Sequence, residues 1–373
     1  MACTNHSFTL HFSIEKKSIL TSWVIILSIA TFTLSMCGTF LVRSGILNSV
    51  HTFANDPERG LFILVFLFIL IFLSILIFFF FHKDNDRKSY SFFWLSKETS
   101  ILINNWFMMY FLSVVLIGTF YPIFLDVISS QKISVGPPFY HKLIIPFLIP
   151  FLLMMAIGPK LKWIKSQLED KIYLISFLII SILIAFLVLK NFNQNILINT
   201  ILISSALYLF FITLRDFFVK KYKNISQNIA HFGFSLLILS ILFNNLFASE
   251  IITNLKVGET FENSKTKIVF ESVDQKKEKN YNAIIANFSI SNLNGEEDRF
   301  SPELRIYNQP VIATSEADIK TTLMSDKFIV INLVQNQDFF NVRYQVKPFM
   351  LWIWLSVILI SFGGIVSFIQ KRS

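Results

Sequence analysis

The chain contains 373 residues, of which 54% are hydrophobic, 15% are charged and 43 are Phe. Soluble globular proteins do not reach this composition, so it excludes a soluble enzyme and indicates an integral membrane protein. The net charge of +9 is uneven, because residues 248–346 hold 11 basic and 14 acidic side chains. The positive excess therefore lies in the other loops, where it is typical of membrane proteins and does not indicate nucleic-acid binding.

Apolar windows of about twenty residues, the length that crosses roughly 30 Å of hydrocarbon, recur along the chain. They lie near residues 21–42, 61–81, 101–123, 143–158, 172–189, 197–214, 228–247 and 348–369. These windows predict an all-α polytopic membrane protein with about eight transmembrane helices. Residues 21–247 form a predicted seven-helix membrane domain, and residues 347–373 form the last transmembrane helix with an inner tail.

The loops between these windows alternate in their content of Lys and Arg. One set contains sixteen basic residues, among them Lys16, Arg87 and Arg215, whereas the opposite set contains six, among them Arg43. The positive-inside rule assigns the richer set to the cytoplasm. Both ends of the chain are then predicted to lie inside, and residues 248–346 outside.

Residues 1–20 are interpreted as a truncated helix end followed by an inner loop. Apolar residues such as Phe8, Phe12 and Ile14 come just before Lys16. Fourteen helical residues rise only about 21 Å, which is too short to cross a membrane. A short amphipathic segment lying on the membrane surface is the alternative interpretation.

The outer segment, residues 248–346, is predicted to be a β-rich domain. Apolar runs such as 267–270, 283–290 and 328–331 are separated by turn signals such as Asn294-Gly295. This pattern favours strands joined by hairpins, and about a hundred residues are enough for one core.

His231 is a candidate functional residue because it lies about one turn into the apolar window 228–247. Ionisable groups at such depth tend to face the interior of a helix bundle. Gly233 lacks a side chain and would let a flat ligand or a neighbouring helix approach. We interpret His231 either as an axial haem ligand or as an interfacial His that is hydrogen-bonded to a carbonyl group.

His51 is a second candidate, about nine residues beyond the outer end of the first window. The apolar spacing of Ile46, Leu47 and Val50 suggests a helix on or in the outer surface. A neutral imidazole there can ligate iron, and Arg43 can meet an anionic group such as a haem propionate. The alternative is a solvated loop His beside an Arg that anchors the membrane interface.

Several segments resemble one family in order along nearly the whole chain. They are GTFLVRSGIL at 38–47, SVH at 49–51, DPERG at 56–60, GTFYP at 118–122, KISVGPP at 132–138, AHFG at 230–233, PELRIY at 302–307, and Trp352 with Trp354. These segments resemble the CcmF family, the membrane haem lyase subunits of cytochrome c maturation.

The resemblance implies a role for each candidate residue. His51 corresponds to the second of two outer-face histidines that hold haem in transit to apocytochrome c. His231 corresponds to the second of two membrane-embedded histidines that ligate a resident haem b. The implied function is to hold and reduce haem while apocytochrome thiols form thioether bonds with it.

The sequence departs from the family pattern in two places. The family's Trp-rich outer motif is missing, which suggests the C-terminal portion of a split protein whose partner is an N-terminal CcmF-like chain carrying that motif. The histidine that would ligate haem b together with His231 is also displaced, because the position that aligns with it is Thr9. We prefer His6 as this ligand, while His11 or a residue of the partner chain remains open.

The resemblance further implies a location and partners. The implied location is the bacterial inner membrane, with the outer domain in the periplasm, or the mitochondrial inner membrane. The implied partners are the other maturation subunits, including the haem carrier and the thiol-reducing component. A haem exporter or other membrane transporter, and a cofactor-free membrane scaffold, are the alternatives. The sequence contains no inverted repeat of the kind found in many transporters.

Overall fold

The computed structural model describes residues 21–44, 56–81, 93–129, 133, 135–163, 171–192, 196–219, 224–292, 297–309, 311–334 and 339–370. Within these ranges, eight helices are long and apolar enough to cross a membrane. Seven of them precede a β-rich domain and one follows it. The predicted fold class is therefore confirmed.

The helices extend beyond some of the predicted windows. They are α1 (Thr21–Arg43), α2 (Pro57–Phe81), α3 (Lys97–Ser129), α4 (Pro137–Ile157), α5 (Lys171–Leu189), α6 (Ile196–Phe218), α7 (Ile225–Phe247) and α8 (Met350–Gln370). Helix α4 begins six residues before its window, because two Pro residues occupy its first turn, where a missing N–H costs no helical hydrogen bond. A 3₁₀ turn, Gly158–Lys160, ends it.

The chain divides into two compact units, Met1–Ile212 and Thr213–Ser373. In the first unit, α3 and α4 pack through aromatic side chains. The Tyr110 hydroxyl donates a hydrogen bond of 2.9 Å to the Leu143 carbonyl, and a side chain at Gly118 would come within 2.5 Å of the Tyr140 hydroxyl. Gly118 thus leaves the space that the Tyr140 ring occupies.

The second unit contains α7, α8 and the β-rich domain between them. Its strands are β1 (Ser249–Leu255), β2 (Thr260–Glu262), β3 (Thr266–Lys277), β4 (Tyr281–Asn292), β5 (Glu297–Phe300), β6 (Glu303–Asn308), β7 (Val311–Glu316), β8 (Asp318–Thr321), β9 (Ser325–Leu333) and β10 (Phe340–Pro348). The apolar runs at 267–270, 283–290 and 328–331 lie in β3, β4 and β9, as predicted. The turn signal Asn294-Gly295 lies outside the described residues, between strands β4 and β5, which pair antiparallel.

The strands form two antiparallel sheets packed as a sandwich. One sheet has the order β1-β10-β9-β8, and the other has the order β2-β3-β4-β6-β7 with β5 paired to β4. Alternate residues of each strand point inward, so the core contains side chains from both sheets. The fully buried members include Ile268, Phe270, Phe288, Phe300, Ile329, Ile331 and Val342.

Charged side chains also connect the two sheets. The Lys327 ammonium group of β9 lies 2.7 Å from one carboxylate oxygen of Asp298 in β5, and that of Lys320 in β8 lies 3.4 Å from the other. The hydrogen bond from Lys327 lowers the pKa of Asp298 below its ordinary value. Beside this cluster, burial raises the pKa of Tyr344 to about 12.

Candidate functional site

His231 is the seventh residue of α7 and is half-buried. Six residues separate it from the start of α7, so its backbone lies roughly 9 Å along the helix axis from that end. Helix α8 and the end of α6, residues 213–218, which belongs to the second unit, contact α7 near this residue. The contacts of these two helices with α7 therefore define the surroundings of His231.

Helix α8 covers the face of α7 that contains Ala230 and Gly233. A side chain at Gly233 would come within 3.0 Å of Ile360, and a side chain at Gly363 would come within 2.8 Å of the Ala230 backbone nitrogen. These glycines let the two helices approach closely, as small residues do in membranes. Of the two interpretations of Gly233, the structure selects the neighbouring helix.

The end of α6 covers a second face of α7. The Asn228 side-chain amide donates a hydrogen bond of 3.4 Å to the Asp216 carbonyl, and the rings of Phe217 and Phe232 meet edge to face with centroids 5.7 Å apart. His231 follows Asn228 by three residues, about 60° around the helix, so it lies beside the face that α6 contacts.

Arg43 is the last residue of α1 and is half-buried. Its carbonyl accepts a hydrogen bond of 3.0 Å from the Asp56 backbone amide, just before α2. Asp56 also pairs with Arg59 at 3.1 Å, and a side chain at Gly60 would come within 2.9 Å of the Ser44 Cα atom. The two ends of the connection that contains His51 are thus held against each other beside Arg43.

The predicted site residues are distributed over both units. Arg43 lies in the first unit and His231 in the second. His51 and His6 lie outside the described residues, as do His11 and His82. His141, in the first turns of α4, is exposed.

One family-like segment, PELRIY at 302–307, has a structural role. The Arg305 guanidinium group pairs with Glu303 at 2.7 Å and lies over the Tyr281 ring, 5.0 Å from its centroid. The hydrogen bond with Glu303 raises the pKa of Arg305 above its ordinary value. This segment therefore fixes the β4–β6 pair.

Sequence reasoning did not single out Gly363 or Asn228, which shape the surroundings of His231. A Gly inside an apolar span is a signal of close helix packing, and Gly363 is visible in the sequence on that criterion. The sequence does not show that its partner is Ala230, because the sandwich separates the two helices along the chain.

A groove of about 510 Å³ lies between α4, α5 and α6 in the first unit. Its lining is apolar except for the hydroxyl groups of Thr200, Ser204 and Ser205. Haem iron in proteins is ligated by His, Cys, Met or Tyr, and the lining residues of the groove include none of these.

These features define a class: a multi-pass membrane protein with a half-buried His in a transmembrane helix and a β-sandwich inserted between its last two helices. Comparison with known proteins agrees with this class. The family described as "CcmF C-terminal beta-sandwich" matches residues 246–348. This range contains the sandwich and its links to α7 and α8.

Curated relatives match almost the whole chain. The "Cytochrome c-type biogenesis protein CcmF" of Haemophilus influenzae is 30% identical, over 96% of this chain and 58% of the relative. The protein of the same name from Pseudomonas aeruginosa is 29% identical, over 96% of this chain and 56% of the relative. A solved structure, "Cytochrome c Heme Lyase CcmF", shares the fold with a TM-score of 0.73 at 19% identity, covering 98% of this chain and 57% of that one.

The chain belongs to the CcmF family of cytochrome c-type biogenesis proteins. It spans a little over half the length of the curated relatives that it matches. The predicted family is confirmed, and the transporter and scaffold alternatives are not favoured.

Proposed function

We propose that the chain contributes to a cytochrome c haem lyase, which holds haem and keeps it reduced for covalent attachment to apocytochrome c. The observation that carries this proposal is the match to CcmF proteins along 96% of the chain. Such a match includes both the histidine-bearing helix and the sandwich. Because the chain spans only part of its relatives, the activity of the whole protein is inferred for an assembly that includes the remaining family sequence.

His231 would hold a resident haem b in the membrane. Its imidazole nitrogen is a ligand type that haem iron takes, and its half-buried position on a helix face excludes much of the water. The α6 and α8 contacts fix the rotation of α7 and therefore the direction of the imidazole. A bound haem b would supply electrons, and His6 is the proposed second ligand.

The substrate haem would be held at the outer face by His51. Arg43 at the end of α1 would pair with a propionate group, since a guanidinium group binds carboxylates through two hydrogen bonds. The contacts among Arg43, Asp56 and Gly60 support this role, because they hold the ends of the His51 connection beside the Arg43 backbone.

Partners and location follow from the same proposal. The remaining family sequence, with its Trp-rich motif, would be supplied by an N-terminal CcmF-like region or chain. Apocytochrome c, the haem carrier and the thiol-reducing component would meet the assembly on the side of the sandwich. We place the protein in the bacterial inner membrane with the sandwich in the periplasm, or in the mitochondrial inner membrane.

The reduced visible spectrum of the protein, co-expressed with its proposed N-terminal partner, tests the haem b site. We expect a b-type spectrum for the wild type, loss of most of that absorbance for His231→Ala, and no change for His141→Ala, a control at an exposed His. In His231→Ala, the attachment of haem to a co-expressed apocytochrome c should fall together with the b-type absorbance. Equal spectra for both variants, or absence of haem from every preparation, would contradict the proposal.

A further inference from the structure

The turn between β8 and β9 presents two apolar side chains. Leu323 is 59% exposed and Met324 is 58% exposed. The turn is ordered by Thr322, whose backbone amide donates to the Ser325 carbonyl at 2.9 Å and whose hydroxyl accepts from the Ser325 amide at 3.0 Å. No charged residue lies between Lys320 and Asp326. This tip, residues 322–325, is thus a hydrogen-bonded and uncharged turn with two exposed apolar side chains.

The tip lies against the first turn of a transmembrane helix. Strand β10 runs directly into α8, and Pro348, its last residue, pairs with Ser325. Beyond that pair, the Phe349 amide donates a hydrogen bond of 2.8 Å to the Met324 carbonyl, and the Trp352 indole N–H donates one of 3.0 Å to the Leu323 carbonyl. The tip is therefore level with residues 349–352.

The end of α7 marks the same level. The Asn244 side-chain amide donates a hydrogen bond of 2.6 Å to the Pro348 carbonyl, and the rings of Phe243 and Phe349 lie 5.7 Å apart. Two apolar helices therefore reach the membrane boundary where the tip is found. Trp352 fits this boundary, because Trp side chains concentrate at the level of the lipid headgroups.

We propose that the tip, through Leu323 and Met324, inserts into the lipid leaflet on the side of the β-sandwich. Lipid is the occupant that the position requires, because the tip is held beside α8 at the depth where that helix enters the bilayer. Apolar side chains at this depth lower their free energy by entering the boundary between headgroups and acyl chains, because they would otherwise be exposed to water.

Insertion would give the sandwich a third point of attachment. Its two chain connections, through β1 and β10, lie on adjacent strands, about 5 Å apart. A pair of connections this close together gives the sheet a narrow base, so they resist tilting within the plane of the sheet only weakly. The tip between β9 and β8 continues the row of β1 and β10 at the same end of the sheet, so its insertion would widen this base, limit that tilt and set the height of the sandwich above the membrane.

Spin labels test this proposal in the full-length chain, in nanodiscs of phosphatidylethanolamine and phosphatidylglycerol. Labels are attached at Leu323→Cys or Met324→Cys in a background with Cys3→Ser and Cys37→Ser. Val257→Cys is the matched control, because Val257 is an apolar residue with 52% exposure that follows β1 at the opposite end of the same sheet. The measured quantity is the ratio of accessibility to oxygen, which concentrates in lipid, over accessibility to a water-soluble nickel complex.

We expect this ratio to be at least about threefold higher at Leu323 and Met324 than at Val257, as for residues that enter the acyl region. Equal ratios at the three positions would overturn the proposal. Low accessibility to both reagents at the tip would also overturn it, because protein and not lipid would then cover these side chains. The measurement needs no haem, so its result is independent of the proposed lyase activity.

Discussion

The β-sandwich excludes water from bulky side chains, such as Phe288 and Phe270, which are 1% and 0% exposed with ring centroids 4.4 Å apart. The α7–α8 helix pair instead meets at Gly233 and Gly363, where the side chains are missing. The difference reflects the solvent. In water, burial of apolar area stabilises the sandwich, whereas lipid is as apolar as the side chains, so helices in a membrane associate through close backbone approach and packing. The sandwich is therefore sensitive to loss of atoms, and the helix pair to added atoms.

The largest effect is expected from truncation in the sandwich core. Phe288→Ala removes a ring that packs on Phe270, and we expect the free energy of unfolding of the domain to fall by about 3–5 kcal/mol because a cavity remains. Hydrogen exchange of the β-strand amides measures this loss. Val311→Ala, at a residue with 81% exposure, is the control. Similar amide protection in Phe288→Ala and Val311→Ala would show that the sandwich core is not sensitive to the loss of atoms.

A smaller effect is expected from one added methyl group between α7 and α8. In Gly363→Ala the new Cβ atom would lie 2.8 Å from the Ala230 nitrogen and 3.0 Å from the Ser226 carbonyl oxygen, so the helices must separate. We expect a cost of about 1–3 kcal/mol, seen as a lower thermal midpoint. The neighbouring Gly364→Ala is a matched control, because nothing lies within 4 Å of its new atom. Equal midpoints would show that Gly363 does not limit the approach.

The smallest effect is expected at the charges between the sheets. Because Lys327 lowers the pKa of Asp298, the carboxylate stabilises the fold above its unfolded pKa, near 4, and this stabilisation is lost as the pH falls through the lower folded value. Asp298→Asn should therefore lower the free energy of unfolding by about 1 kcal/mol at pH 7. It should also flatten the decline of stability below pH 4.

Denaturant unfolding of the Asp298→Asn protein at several pH values measures that slope. Glu271→Gln, at an exposed carboxylate of β3, is the control and should leave the slope unchanged. A slope in Asp298→Asn identical to that of the wild type would show that the inter-sheet charges do not contribute to acid sensitivity.

Helix content was predictable from the sequence, but helix ends were less so. Hydropathy detects the part of a helix that lipid surrounds, whereas backbone hydrogen bonds continue into polar flanks. Helix α3 accordingly begins at Lys97 and ends at Ser129, beyond its window 101–123. The strands at 267–270, 283–290 and 328–331 were predicted correctly because alternation and turn signals are local.

The strand order was not predictable. The first strand pairs with the last, Ser249 opposite Val346, and no local pattern records a contact between residues so far apart in the chain. The same holds for the candidate site. A His in an apolar span identified His231, yet the choice between a ligand and a helix beside Gly233 depended on α8, which follows the sandwich.

The sequence by itself determined the membrane class, the spans, the β-rich domain and the family, because each depends on composition or on short segments that keep their order. The tertiary structure decided what covers each surface. It showed that Gly233 faces Ile360, that Asp298 joins two sheets, and that Leu323 lies beside Trp352 at the start of a membrane helix. These contacts join distant parts of the chain, and their energies depend on distances of a few ångströms that only the packed fold sets.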